Sequence, residues 1–81
     1  MNEETTLFKI DEIEDALVET TLDEVYTSLK EKGYNPVSQI VGYLVSGDSS
    51  YITSAGSARE KIESLDRGKI IETVVRSYLE N

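Results

Sequence analysis

Residues 32–48, Lys32-Gly33-Tyr34-Asn35-Pro36-Val37-Ser38-Gln39-Ile40-Val41-Gly42-Tyr43-Leu44-Val45-Ser46-Gly47-Asp48, constrain the fold more than any other stretch. Gly33 reaches the left-handed conformation at low cost, so a helix is expected to stop there. Asn35 can cap the next helix, and Pro36 suits its first position, where a missing N–H is no loss. That helix is expected to run from residue 36 to 46 and stop at Gly47. Between the stops lie Val37, Ile40, Val41, Leu44 and Val45, a wide apolar stripe at helical spacing that needs a partner surface.

The flanking sequence supplies helices to meet it. Asp11 and Glu14 have capping-box spacing, and Ile13, Leu17, Val18, Leu22, Val25, Tyr26 and Leu29 follow the helical period to Lys32. Thr20-Thr21 is a soft spot in this long element, because β-branched residues lower helix propensity. A loop rich in Gly and Ser, from residue 47 to 56, is expected to be anchored by Tyr51 and Ile52. Ser57 with Glu60 forms a second capping box, opening a helix through Ala58, Ile62 and Leu65. Asp66 caps a fourth helix with Ile70, Ile71, Val74, Val75, Tyr78 and Leu79, nearly continuous with the third and weakest at Gly68. The run Ile70 to Val75 suits a strand by propensity, but its helical spacing is the stronger signal. The reading is all-α: a compact bundle of four to five short helices over residues 11–81. Residues 1–10 form a flexible or extended lead-in, with Phe8 and Ile10 laid on the domain and Thr5 and Thr6 in water.

At 81 residues the chain is one small domain with a marginal core, for which self-association is a common remedy. It has no cysteine and no histidine, so disulfides, the common zinc sites and imidazole bases are all excluded. No metal or cofactor is expected. A formal net charge of −8 opposes nucleic acid and anionic lipid, and no apolar run is long enough to span a bilayer. The acidic start Met1-Asn2-Glu3-Glu4 is unlike a signal peptide, and the expected location is cytoplasmic.

Candidate chemistry is sparse. Gly47-Asp48-Ser49 resembles the start of a nucleophile block but has no histidine base to serve it, and a helix stop followed by a turn explains it better. Asp11, Glu12, Glu14 and Asp15 match no calcium-loop spacing and read as a solvated helix start. Ser64-Leu65-Asp66 reverses the order an acyl carrier protein requires. The turn at Gly33 has helix-turn-helix spacing, yet no Lys or Arg lies between Pro36 and Ser46. An enzyme is not expected. Tyr34, Tyr43 and Tyr51 crowd the organising stretch, either closing the core or facing a partner. With Asn35 and Arg59 they are the candidate interaction residues. Thr5 and Thr6 are hydroxyls open to a kinase.

The string Lys32-Gly33-Tyr34-Asn35-Pro36, then Gln39-Ile40-Val41-Gly42-Tyr43-Leu44, Ser46-Gly47-Asp48 and Tyr51-Ile52 resembles the signature of the IreB family of small regulatory phosphoproteins of Gram-positive bacteria. Ala58-Arg59, Ile62, Asp66-Arg67, Ile70, Glu72, Val75 and Ser77-Tyr78-Leu79 extend the likeness. The resemblance implies a non-enzymatic helical homodimer, a substrate of a transmembrane Ser/Thr kinase and its phosphatase. It further implies a role in the cell-envelope stress response and in resistance to cell-wall antibiotics. The family's phosphoacceptor stands in a Thr-x-x-Phe pattern, which Thr5-Thr6-Leu7-Phe8 supplies, so the resemblance assigns the role to Thr5 with Thr6 as its neighbour. Family members usually carry Asp-Pro after the second helix and Pro-Arg after the Tyr-Ile, where this chain has Asp48-Ser49 and Thr53-Ser54. The alternative reading is a constitutive helical interaction module that needs no phosphorylation.

Overall fold

The structure is a computed structural model that describes the backbone of residues 3–80 and the side-chain surroundings of residues 12–80. Four helices carry it: α1 (Glu3–Glu31), α2 (Pro36–Ser46), α3 (Ala58–Glu63) and α4 (Arg67–Leu79). Two single 3₁₀ turns, Ser49–Tyr51 and Ala55–Ser57, bridge α2 to α3, and among the described residues there is no strand.

Helix α1 is the spine. Its 29 residues span about 43 Å at the α-helical rise. It begins at Glu3, so α1 takes in the backbone of most of the stretch read as a flexible or extended lead-in. Extending a nucleated helix fixes one residue per new hydrogen bond, which is cheap. For the same reason the helix passes through Thr20-Thr21 unbroken, and Asp11-Glu14 lies within it rather than at its start. The side chains of Thr5, Thr6, Phe8 and Ile10 lie outside the described residues.

The helix stops behave as local chemistry dictates. Gly33 takes φ 85°, the Gly33 N–H donates to the Lys30 carbonyl and the Tyr34 N–H to the Leu29 carbonyl, each at 3.0 Å. This is the paired closure that a left-handed glycine makes possible. The Asn35 side chain accepts from the Ser38 N–H at 3.1 Å, with Pro36 opening α2. The Gly47 N–H returns to the Tyr43 carbonyl at 2.7 Å. Asp66 accepts from the Lys69 N–H at 2.9 Å and caps α4.

Two expectations about the second half need correction. Ser57 does not cap α3: it sits at φ 63° and its side chain makes no capping bond. The chain enters α3 through a 3₁₀ turn with Gly56 also left-handed, and this turns the Ser57 hydroxyl away from the first free N–H groups of the helix. Helices α3 and α4 are also distinct rather than nearly continuous. The break falls at residues 64–66, and Gly68 lies inside the first turn of α4.

The core is built on one side of α1. Val18, Val25 and Leu29 meet Tyr43, Ile52, Ala58, Ile62 and Ile70, with Leu22, Ile40, Leu44 and Leu65 packed around them. Ile52 anchors the loop as expected. Ile13, Leu17 and Tyr26, which share the helical period of α1, are nevertheless exposed. Tyr26 instead lies beneath Lys30, whose ammonium is 5.7 Å from the ring centre.

Candidate interaction site

The loop after α2 is tied down residue by residue. Asp48 accepts from the Ser50 N–H at 2.9 Å, and the Asp48 N–H donates to the Ser46 hydroxyl at 3.0 Å. The hydrogen bonds from the Ser50 backbone and side chain hold the Asp48 carboxyl below the ordinary carboxylate value. Tyr51 then lays its ring on Gly42, so closely that a Cβ there would stand 2.5 Å from the ring. The Gln39 side-chain amide donates to the Tyr51 carbonyl at 2.9 Å, and Arg59 Nε donates to the Ile52 carbonyl at 2.8 Å. From α4, Arg67 reaches back across Gly47 and donates to the Leu44 carbonyl at 3.1 Å. A Cβ on Gly47 would be 2.8 Å from its guanidinium carbon. A cation at the C-terminal end of α2 also complements that helix's dipole.

These bonds place the candidate interaction residues. Tyr43 is buried in the core, Asn35 is engaged as the cap of α2, and Arg59 is a strap on the loop. Tyr51 is the clasp over Gly42 with its outer edge exposed, and Tyr34 is half exposed beside the helix turn. The five do not converge on one patch. Several residues of the signature string, Gln39, Gly42, Tyr43, Ser46, Gly47, Asp48, Tyr51 and Ile52, are those that close this knot, and packing explains their pattern.

The apolar surface lies elsewhere. Helix α2 has two faces: Tyr43, Ile40 and Leu44 turn inward, while Val37, Val41 and Val45 form an outer row at four-residue spacing, with Val45 81% exposed. Helix α4 is similar. Only Ile70 and Thr73 are buried, and Ile71, Val74, Val75, Tyr78 and Leu79 face outward. Periodicity alone finds such stripes but cannot say which half meets the chain itself.

Helix α4 is held on α1 by Ile70 in the core and by a set of charged contacts. Asp15 accepts from the Thr73 hydroxyl at 3.2 Å and lies 3.4 Å from Lys69 and 3.5 Å from Arg76. Glu72 pairs with Arg76 at 3.0 Å along the same helix, and Lys61 on α3 pairs with Glu24. These pairs are partly exposed, so each contributes at most about 1 kcal/mol. Beside them, between α1 and α4, lies a groove of about 420 Å³. Its apolar wall is formed by Val18, Leu22, Val74 and Tyr78, with Glu19 and Asp23 on the rim.

Among the described residues no cluster of carboxylates has the geometry of a metal site. No described helix is long and apolar enough to cross a membrane. What the fold offers is surface: a knotted loop, two outward apolar faces and one acidic-rimmed groove. A family described as IreB regulatory phosphoprotein matches residues 3–80, nearly the whole chain, including the threonines of the first turn of α1. The chain belongs to the IreB family of regulatory phosphoproteins.

Proposed function

We propose that this chain is a non-enzymatic regulatory phosphoprotein of the cytoplasm. A transmembrane Ser/Thr kinase modifies it on Thr5, a phosphatase reverses the change, and the protein acts through protein–protein contacts on the cell-envelope stress response and on resistance to cell-wall antibiotics. The observation that carries this reading is the family match over residues 3–80, which includes the Thr5-Thr6-Leu7-Phe8 pattern. Thr5 stands in the first turn of α1, where a phosphate of about −1.5 to −2 charges is favoured by the helix dipole. Most cations of the described body are engaged: Lys61, Lys69 and Arg76 with carboxylates, Arg59 and Arg67 with carbonyls, Lys30 over Tyr26; Lys32 is exposed. Incubation with the cognate kinase and phosphosite mapping by mass spectrometry is expected to place the label on Thr5, and Thr5→Ala to abolish it. Label confined to residues 12–80 would overturn the assignment. Full cellular activity of a Thr5→Ala/Thr6→Ala protein would favour the constitutive module.

Homodimerisation belongs to the same proposal, through the outer row of α2. Two copies each carrying a formal −8 repel least where neither presents charge, and residues 33–47 contain no charged side chain. Val37, Val41 and Val45 lie on that charge-free surface, and a two-fold axis would set each row against its copy. Sedimentation is expected to show a dimer for the native chain. Val41→Asp should weaken it by about 100-fold or more, since burying an unpaired carboxylate costs several kcal/mol. A native chain that sediments as a monomer at micromolar concentration would remove the dimer from the proposal.

A further inference from the structure

The groove between α1 and α4 differs in kind from the α2 row. Val74 and Tyr78 are 45% and 84% exposed, so the apolar wall is open to a partner and not closed by the chain itself. Glu19 and Asp23 stand one helical turn apart on the rim, and neither is ion-paired among the described residues. Arg76 of α4, which lines an adjoining hollow with Glu19, is already shared between Asp15 and Glu72. An apolar cleft edged by two free carboxylates at four-residue spacing is complementary to a helix that presents an apolar side chain and two cations one turn apart.

We propose that this groove docks a basic amphipathic helix of a partner protein. An apolar side chain of that helix seats against Val18, Leu22, Val74 and Tyr78, and Lys or Arg residues one turn apart pair with Glu19 and Asp23. A second copy of this chain is a poor occupant. It brings a further −8 of formal charge, and most of its described cations are held in ion pairs and carbonyl bonds of their own. The inference rests on the reading of the protein as one that acts through protein–protein contacts, but not on the phosphorylation of Thr5.

The test titrates the full chain with a labelled helical peptide of about five turns, built from leucine, alanine and lysine with lysines four apart. Amide shift changes are expected to concentrate at residues 18–23 and 73–78. Glu19→Lys/Asp23→Lys should weaken binding by about tenfold or more, while Glu60→Lys/Glu63→Lys, an equal charge change on exposed positions of α3, should alter it by less than about twofold. Equal losses from both pairs would mean attraction to net charge alone and would overturn the groove. Shift changes centred on α2 would overturn it as well. So would dissociation of the native dimer by Val74→Asp, which would make the groove a self-contact. Thr5 phosphosite mapping on the Glu19→Lys/Asp23→Lys protein reads the functional proposal separately, since label on Thr5 is expected there whether or not the peptide binds.

Discussion

Ile62→Ala is expected to lower the unfolding free energy by about 2–5 kcal/mol, the usual range for emptying a fully buried aliphatic site. Ile62 is 0% exposed and lies in one cluster with Leu29, Ile52 and Ile70. The consequence is large because α3 has only six residues, too few to hold helical structure alone. Burial of Ala58 and Ile62 against α1, helped by the Lys61–Glu24 pair, is what keeps it folded. A domain of this size has a total stability of about 4–12 kcal/mol, so the loss removes a sizeable share. Urea unfolding at fixed protein concentration measures it, with Leu79→Ala as the exposed control expected within about 0.5 kcal/mol. Equal effects of the two substitutions would mean that the core is not where the structure puts it.

Gly42→Val is expected to destabilise by about 1–3 kcal/mol, because the new side chain occupies the space of the Tyr51 ring. Tyr51 must swing out, and the Gln39 bond to its carbonyl is strained with it. Valine is a middling helix former, so the gain in propensity over glycine offsets only a few tenths of a kcal/mol. The diagnostic is the double-mutant cycle. In a Tyr51→Ala background the same change meets open space and should lose most of its effect, a coupling of about 1 kcal/mol or more in urea unfolding. Additivity within about 0.3 kcal/mol would show that the ring does not hold the loop to α2.

Much of this fold is legible in the residues, and the legible parts share a cause. Gly33, Asn35, Pro36, Gly47 and Asp66 act on backbone groups within a few positions, so their caps can be read one after another. Ser57 misleads because the chain enters α3 through a 3₁₀ turn with Gly56 and Ser57 both left-handed, between the buried Ile52 and Ala58, and a capping pattern read from spacing does not contain that turn. The apolar stripes of α2 and α4 are visible by their period. Which half is covered depends on where α1 passes, and that splits Ile40 and Leu44 from Val37, Val41 and Val45. The start of α1 was obscured by Thr5-Thr6 and by a capping pattern at Asp11, both outweighed by the low cost of lengthening an existing helix. The groove escaped sequence reasoning altogether. Its rim and wall come from α1 and α4, at opposite ends of the chain, and the clue within reach was the unmatched acid pair Glu19 and Asp23 at one-turn spacing.

The attachment of α4 has a consequence for the range of states the folded chain visits. One fully buried aliphatic side chain, Ile70, one buried hydroxyl, Thr73, the Arg67 bond to α2 and a partly exposed set of ion pairs around Asp15 hold thirteen residues in place. Little apolar area and screenable charge make such an element an opening unit of its own, released well below the free energy that unfolds the whole domain. Val25, Leu29, Ile52 and Ile62, the other core residues at 0% exposure, come from other elements. Any chain in which α4 opens has lost one wall of the groove, and raised ionic strength favours that opening.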